Sequence, residues 1–352
     1  MAIYKIFPEK DTTIYSDSEA QNTGLDSILE ISTFNSSSLS NYEPEVARTL
    51  IQFSDSDLSS VWNLIGTASN AAFLKMFIAD ASGVNKDTTV KVFPISQSAW
   101  QMGTGKRLDN PVTTNGVSWK YATYSGSGEW ATTGSTYYAS PSASYTFNYY
   151  SPLDLNLNVS DIVSDWSAST YSNYGFVLKQ TGSDEFNTNI ATAVSLKYYS
   201  RDTHTIYPPQ LEFRWDDSVY NTGSLAVISQ TPATVTLSEN PGLFFSESIN
   251  RFRVNSRPTY PLRTFQTSSY YLNNYALPEN SYYAVKDLDT DEFVIDFDST
   301  YTKISCDTSG SYFDVYMNGL EPERYYKILI QTTINGSTIV FDNDYYFKVN
   351  NG

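Results

Sequence analysis

The 352-residue chain holds one cysteine, Cys306, and one histidine, His204. A single thiol excludes an intrachain disulfide framework and any multi-cysteine zinc site. A single imidazole excludes metal sites built on two or three histidines, and a Ser-His-Asp triad would have to use His204. Basic residues are scarce: 22 Lys and Arg stand against 38 Asp and Glu, for a formal net charge of −16. That balance argues against a nucleic-acid binder, which needs clustered cations to neutralise phosphates. It argues equally against an anionic membrane surface. Long apolar runs are missing, so no segment reads as a bilayer-spanning helix. The N-terminus, Met-Ala-Ile-Tyr-Lys-Ile-Phe-Pro, lacks the basic stretch and apolar run of a secretory leader. Disorder is excluded as well, because only 17% of residues are charged while 15% are aromatic.

What is abundant points to an all-β protein. There are 29 Tyr and 19 Phe, and β-branched residues recur between short clusters of Ser, Asn, Asp and Gly. Strands are predicted at Ile28–Ser32, Ala47–Phe53, Phe73–Ala79, Thr88–Pro94, Gly175–Gln180, Ser195–Tyr199 and Gln210–Trp215. Two short helices interrupt them. In Ser56–Ile65 the apolar residues Leu58, Val61, Trp62 and Ile65 fall at helical spacing, and Val159, Ile162, Val163 and Trp166 repeat it in Val159–Trp166. Both stripes read as core packing.

A boundary is predicted near residues 216–224, where Asp-Asp-Ser-Val-Tyr-Asn-Thr-Gly-Ser follows a strand. The expected domains are 1–217, a jelly-roll-like β-sandwich with long aromatic loops, and 218–352, a smaller β-sandwich. The second half carries a hairpin from Tyr282–Leu288 to Phe293–Phe297, and another from Tyr325–Thr333 to Ser337–Val349 across Asn335-Gly336. The run Gly319-Leu320-Glu321-Pro322-Glu323-Arg324-Tyr325-Tyr326 resembles the Leu-x-Pro-x-x-x-Tyr corner of fibronectin-like domains. An immunoglobulin or fibronectin type of sandwich is the expectation for this half.

Residues 11–216 carry an ordered series of pieces. They include Asp11-Thr12-Thr13-Ile14-Tyr15, Asn22-Thr23-Gly24, Arg48-Thr49-Leu50-Ile51-Gln52-Phe53 and Trp100-Gln101-Met102-Gly103-Thr104-Gly105. Gly116-Val117-Ser118-Trp119, Asp154-Leu155-Asn156-Leu157-Asn158-Val159, Asn173-Tyr174-Gly175-Phe176 and Pro209-Gln210-Leu211-Glu212-Phe213 complete it. The series resembles the DNRLRE-type β-sandwich domain, which implies either polysaccharide binding or a structural spacer role. The N-terminal Ile-Phe-Pro-Glu-Lys-Asp-Thr-Thr-Ile-Tyr-Ser and the run Tyr199–Pro209 are similar to virion structural proteins of marine contractile-tailed phages.

Several local groupings invite a chemical reading and favour a plainer one. Asp287, Asp289 and Asp291 stand at calcium-loop spacing, but Glu292 takes the sixth place where the tight turn needs Gly. A solvated hairpin tip is preferred. Asp154, Asn156 and Asn158 alternate with Leu155, Leu157 and Val159 as in any half-buried strand. His204 reads as a loop residue and Cys306 as a buried, inert thiol. No carboxylate pair is singled out for glycoside hydrolysis. The aromatic residues Trp100, Trp119, Tyr121, Tyr124 and Trp130 sit in or just before the Gly-, Ser- and Thr-rich loop segment Thr104–Ser144 and are the candidate surface for a protein interface or for stacking on sugar rings.

The expectation is a non-enzymatic virion structural protein of the neck, collar, tail or capsid exterior. It would be present in several copies and contact other virion proteins, without cofactor, metal, nucleic acid or membrane. A glycan-binding module in host attachment or cell-surface adhesion is the alternative.

Overall fold

A computed structural model describes residues 2–35, 44–97, 99–124, 126–187, 193–238, 240–260 and 274–351. It is nearly all β, with 46% strand and 8% helix, as an all-β sandwich protein should be. The chain divides into two compact units. One comprises Ile6–Leu64 and Ala71–Glu212; the other comprises Met1–Lys5, Ile65–Asn70 and Phe213–Gly352. Among the described residues no helix is long and apolar enough to cross a membrane.

In chain order the first strands are β1 (Ala2–Ile6), β2 (Lys10–Tyr15), β3 (Ile28–Asn35), β4 (Pro44–Gln52), β5 (Asn70–Met76), β6 (Ile78–Ser82) and β7 (Thr88–Pro94). There follow β8 (Tyr121–Tyr124), β9 (Ser127–Glu129), β10 (Ala143–Phe147), β11 (Leu155–Asn158), β12 (Phe176–Gln180), β13 (Ser195–Tyr199) and β14 (Gln210–Trp215). The main sheet of the first unit runs β10-β7-β12-β4-β3-β13-β6, with β2 also paired to β4. Its centre is β4, where Leu50 and Ile51 are fully buried and pair with Val177 and Phe176 of β12. Gly175 precedes β12 with φ +87°, and a Cβ there would stand 2.3 Å from the carbonyl oxygen of Ile51. Only glycine brings the chain so close to the neighbouring strand.

The two predicted helices form where the spacing placed them. Helix α1 spans Asp55–Ile65, with Leu58, Val61 and Ile65 buried and Ser54 Oγ accepting the Asp57 amide as its cap. Helix α2 spans Ser160–Ser167 and buries Ile162, Val163 and Trp166. The stretch predicted as one strand over Phe73–Ala79 is two, β5 and β6, which belong to different sheets. In β11 Leu155 and Leu157 are buried and Asn156 and Asn158 exposed, the alternation of a half-buried strand.

The second unit continues with β15 (Ala233–Leu237), β16 (Leu243–Phe245), β17 (Ile249–Pro258), β18 (Ser281–Asp287), β19 (Phe293–Ile295), β20 (Ser305–Asp307), β21 (Gly310–Tyr316), β22 (Tyr325–Ile334) and β23 (Ser337–Asn350). They form two sheets, β15-β17-β21-β20 and β16-β23-β22-β18-β19, the second closed by a parallel pairing of β16 with the end of β23. This is the four-plus-five layering of an immunoglobulin-type sandwich. With one cysteine in the chain, no inter-sheet disulfide ties the layers. Packed rings fill the space: Phe313 stacks on Phe252 at 5.4 Å and on Tyr283 at 4.4 Å, and Phe347 lies tilted at 5.7 Å from both Phe252 and Tyr326. The corner before β22 is a hydrogen-bonded tyrosine corner. Tyr326 Oη donates to the Glu321 carbonyl at 2.8 Å, and Leu320 is buried under the turn. The β22–β23 hairpin turns through Asn335 (φ 51°) and Gly336 (φ 77°), two successive positive φ angles that suit a type I′ turn.

Candidate functional site

The motifs of the first unit converge on Asn22. Its fully buried side chain donates to the carbonyls of Met102 (2.7 Å) and Val117 (2.9 Å) and accepts the amides of Gly105 (2.8 Å) and Gly24 (3.3 Å). The surrounding glycines leave it room. A Cβ on Gly103 would meet Asn22 Oδ1 at 2.3 Å, and one on Gly116 would meet Asn22 Nδ2 at 2.5 Å. Thus Asn22-Thr23-Gly24, Gly103-Thr104-Gly105 and Gly116-Val117 are one device, which stitches the long loop after residue 100 to the start of the chain.

The indoles of that loop complete the fastening. Trp100 is 1% exposed and its Nε1 donates to the Tyr174 carbonyl at 2.9 Å; Trp130 is 4% exposed and donates to the Ser118 carbonyl at 3.0 Å. Both belong to a core cluster with Ile14, Leu50, Phe93 and Val177, so neither ring has a face open to a sugar or a partner. Trp119, 7% exposed, belongs to the same cluster and also lines a cleft. Tyr121 is partly exposed beside Lys120, and Tyr124 is 48% exposed at the end of β8. The five candidate residues therefore do not form one surface. Three are anchors and two lie on the short β8–β9 ribbon.

The cleft that Trp119 lines has a volume of about 660 Å³. In it lie Arg48 of β4, Lys179 of β12 and Glu185, all buried. Arg48 Nε donates to Glu185 Oε1 at 2.7 Å, its Nη1 donates to the Gly134 carbonyl, and Lys179 Nζ pairs with Glu185 Oε2. Thr33 Oγ1 donates to the Glu185 carbonyl at 2.9 Å and so fixes the carboxylate's backbone. The Arg48 guanidinium stacks over Trp119 at 4.8 Å, and Lys179 lies 5.7 Å from the ring of Tyr137, whose other neighbour is Phe93 at 4.7 Å. Ser16, Thr132 and Thr133 contribute hydroxyls, while Asp17, Glu19, Glu45 and Phe186 line the remaining wall. Nothing in the sequence motifs drew attention to this group. The signal available was the polar intrusion in two apolar strands: Arg48 shares a face with Leu50, and Lys179 one with Val177, its partner across the ladder.

Other expected groupings resolve into local contacts. Asp287 is buried. Burial works against its charge, but a two-pronged ion pair with Arg324 (2.6 and 2.7 Å) and the amides of Asp289 and Thr290 hold its carboxyl below the usual range. Asp154 Oδ1 accepts the Ile78 amide at 2.8 Å, and Asn158 Oδ1 accepts the amide and hydroxyl of Ser160. Among the described residues no group of three His, Cys, Asp or Glu is placed to hold a metal ion. His204 is exposed, and Cys306 is buried in β20 with its thiol pKa pushed up by burial. Asp11 is a buried carboxyl that sequence reading passed over. Burial and the nearby Asp202 push its pKa up to about 7, against the pull of the Arg201 amide (2.7 Å) and the Arg201 charge.

No protein family matches the chain, and no curated protein does. Among solved structures, a DUF4785 family protein from Legionella pneumophila is similar over 99% of this chain and 68% of its own length, at 8% identity and a TM-score of 0.18. A likeness so slight carries no argument.

Proposed function

We propose that this chain is a non-enzymatic structural protein of a tailed-phage virion, acting through protein–protein surfaces. The observation that supports it best is the fastening of the long loop region by Asn22, Trp100 and Trp130. A loop held this way presents a fixed surface, so binding a partner costs little ordering entropy. Exposed side chains of the same unit, Leu108, Val112, Tyr149 and Tyr150 among them, supply the apolar and aromatic contacts that interfaces favour. The sequence resemblance to virion proteins adds the location. Mass spectrometry of purified virions tests it. Detection at a few to a few dozen copies, counted against the major capsid protein, is the expected result, whereas absence from virions and presence on cells or in the medium would overturn it.

Glycan binding is the second reading, favoured by the cleft of about 660 Å³ in the unit that resembles the DNRLRE domain. A glycan array with the folded chain decides it. Saturable binding to a glycan supports this reading, and a blank array removes it.

A further inference from the structure

Buried charge in the cleft does not balance. Among the described residues the buried cations Arg48 and Lys179 share a single buried carboxylate, Glu185, so that buried group carries one excess positive charge. An uncompensated buried charge is costly, and a cleft that leaves it approachable invites an anion. Among the described residues the Arg48 guanidinium spends its hydrogen bonds on Glu185 and Gly134 alone. A guanidinium has five N–H donors in a fork matched to carboxylate geometry.

We propose that this cleft is a socket for a carboxylate side chain, an Asp or Glu, of a partner protein, received by Arg48 and Lys179. The inference rests on the reading of the chain as a protein-interaction component and names the chemistry of one contact. Three observations choose this occupant. Asp17, Glu19 and Glu45 also line the cleft and repel an anion in proportion to its charge, so a polyanion such as a phosphate cluster or nucleic acid is disfavoured far more than a single carboxylate. Trp119 is buried against Arg48 and Gly134, and Tyr137, partly exposed, stacks on Phe93 beside Lys179, so the cleft offers a sugar ring no broad aromatic platform. Phe186, 54% exposed beside the cleft, offers an apolar contact of the kind a peptide segment uses.

The test is a titration of the full chain followed by NMR at the Trp119 indole N–H, assigned with Trp119→Phe. The probes are N-acetylaspartate amide, N-acetylarginine amide, glucuronate and inorganic phosphate. The aspartate probe should shift the indole resonance saturably, and Lys179→Met, which leaves Arg48 and Glu185 in balance, should weaken it by about tenfold. Glu19→Gln with Glu45→Gln should tighten the aspartate probe at low salt and admit phosphate. No saturable shift with the aspartate probe on folded wild-type chain overturns the socket, and so does an equal response to the arginine probe. A response to glucuronate at least as strong as to aspartate moves the occupant from protein to acidic sugar and overturns the socket for a protein carboxylate. If virions contain the chain but the aspartate probe does not bind, the socket alone fails. Should the probe bind while virions lack the chain, the virion reading alone fails.

Discussion

Asp11 and Asn22 show how two polar side chains in buried positions act in opposite ways. Asp11 keeps its proton in the folded chain up to a pH of about 7, whereas the unfolded carboxyl releases it near 3.8. Between those values the unfolded state has lost a proton that the native state retains. Stability from this group therefore falls as pH rises from about 4 to about 7, and then levels off, by roughly 4 kcal/mol at most. Asp11→Asn keeps an oxygen for the Arg201 amide and carries no charge. Urea titrations at pH 5 and pH 8 should find the variant gaining on the wild type at the higher pH. A wild-type and variant difference that is constant with pH would show that Asp11 does not titrate in this range. Asn22, by contrast, is neutral and fully satisfied. Asn22→Ala strands two carbonyls and two amides, and a loss of roughly 2–4 kcal/mol is expected in the same measurement.

Among the loops and strands, the glycines separate two kinds of demand. Gly336 needs only its positive φ, since a Cβ there meets nothing within 4 Å. Gly336→Ala should cost about 1 kcal/mol, the price of the backbone conformation alone. Gly103 has the same backbone need, at φ +75°, and in addition would drive its Cβ into Asn22. Gly103→Ala should cost clearly more than Gly336→Ala in parallel denaturant melts; equal losses would mean that the loop yields and the fastening is soft. The tyrosine corner is a further local device. Tyr326→Phe keeps the ring among its aromatic neighbours and removes one hydrogen bond to the Glu321 carbonyl, so a loss of about 1 kcal/mol is expected.

The molecule taken whole carries a formal charge of −16. Ion pairs such as Arg253 with Asp307, whose carboxyl is held down to about 2 chiefly by the Arg253 hydrogen bonds, offset some of the 38 Asp and Glu, and the −16 is what remains once all 22 Lys and Arg are counted. Mutual repulsion among the remaining carboxylates destabilises the compact state at neutral pH and low ionic strength. Thermal melts at pH 7.5 should therefore move upward as sodium chloride is raised from about 10 mM to about 150 mM, where the screening length falls to about 8 Å. A melting point that stays fixed or drops would show that attractive pairs outweigh the net charge. The same acidity suits a partner with basic surroundings, while the cleft in the first unit asks of that partner one carboxylate.

The all-β class, both helices, the Asn-Gly hairpin and the Leu320–Tyr326 corner were legible in the sequence because each depends on residues near one another in the chain. Alternation, helical spacing and turn chemistry are short-range signals, and the physics that uses them is short-range too. The glycine-bearing motifs were visible as pieces, but their common purpose was not. Asn22 stands about eighty residues from Met102 and Gly105, and only folding brings them within hydrogen-bond reach. The aromatic loops were misleading for the same reason. A tryptophan has the same composition whether it offers a face or fills a core, and long-range packing put Trp100 and Trp130 inside. The charged cleft was hidden altogether, because Arg48 meets Glu185 across 137 residues and the register of β12 on β4 decides that Lys179 joins them. Local order follows from which residue succeeds which; a site follows from which strands lie side by side, and burial energy over the whole sheet makes that choice.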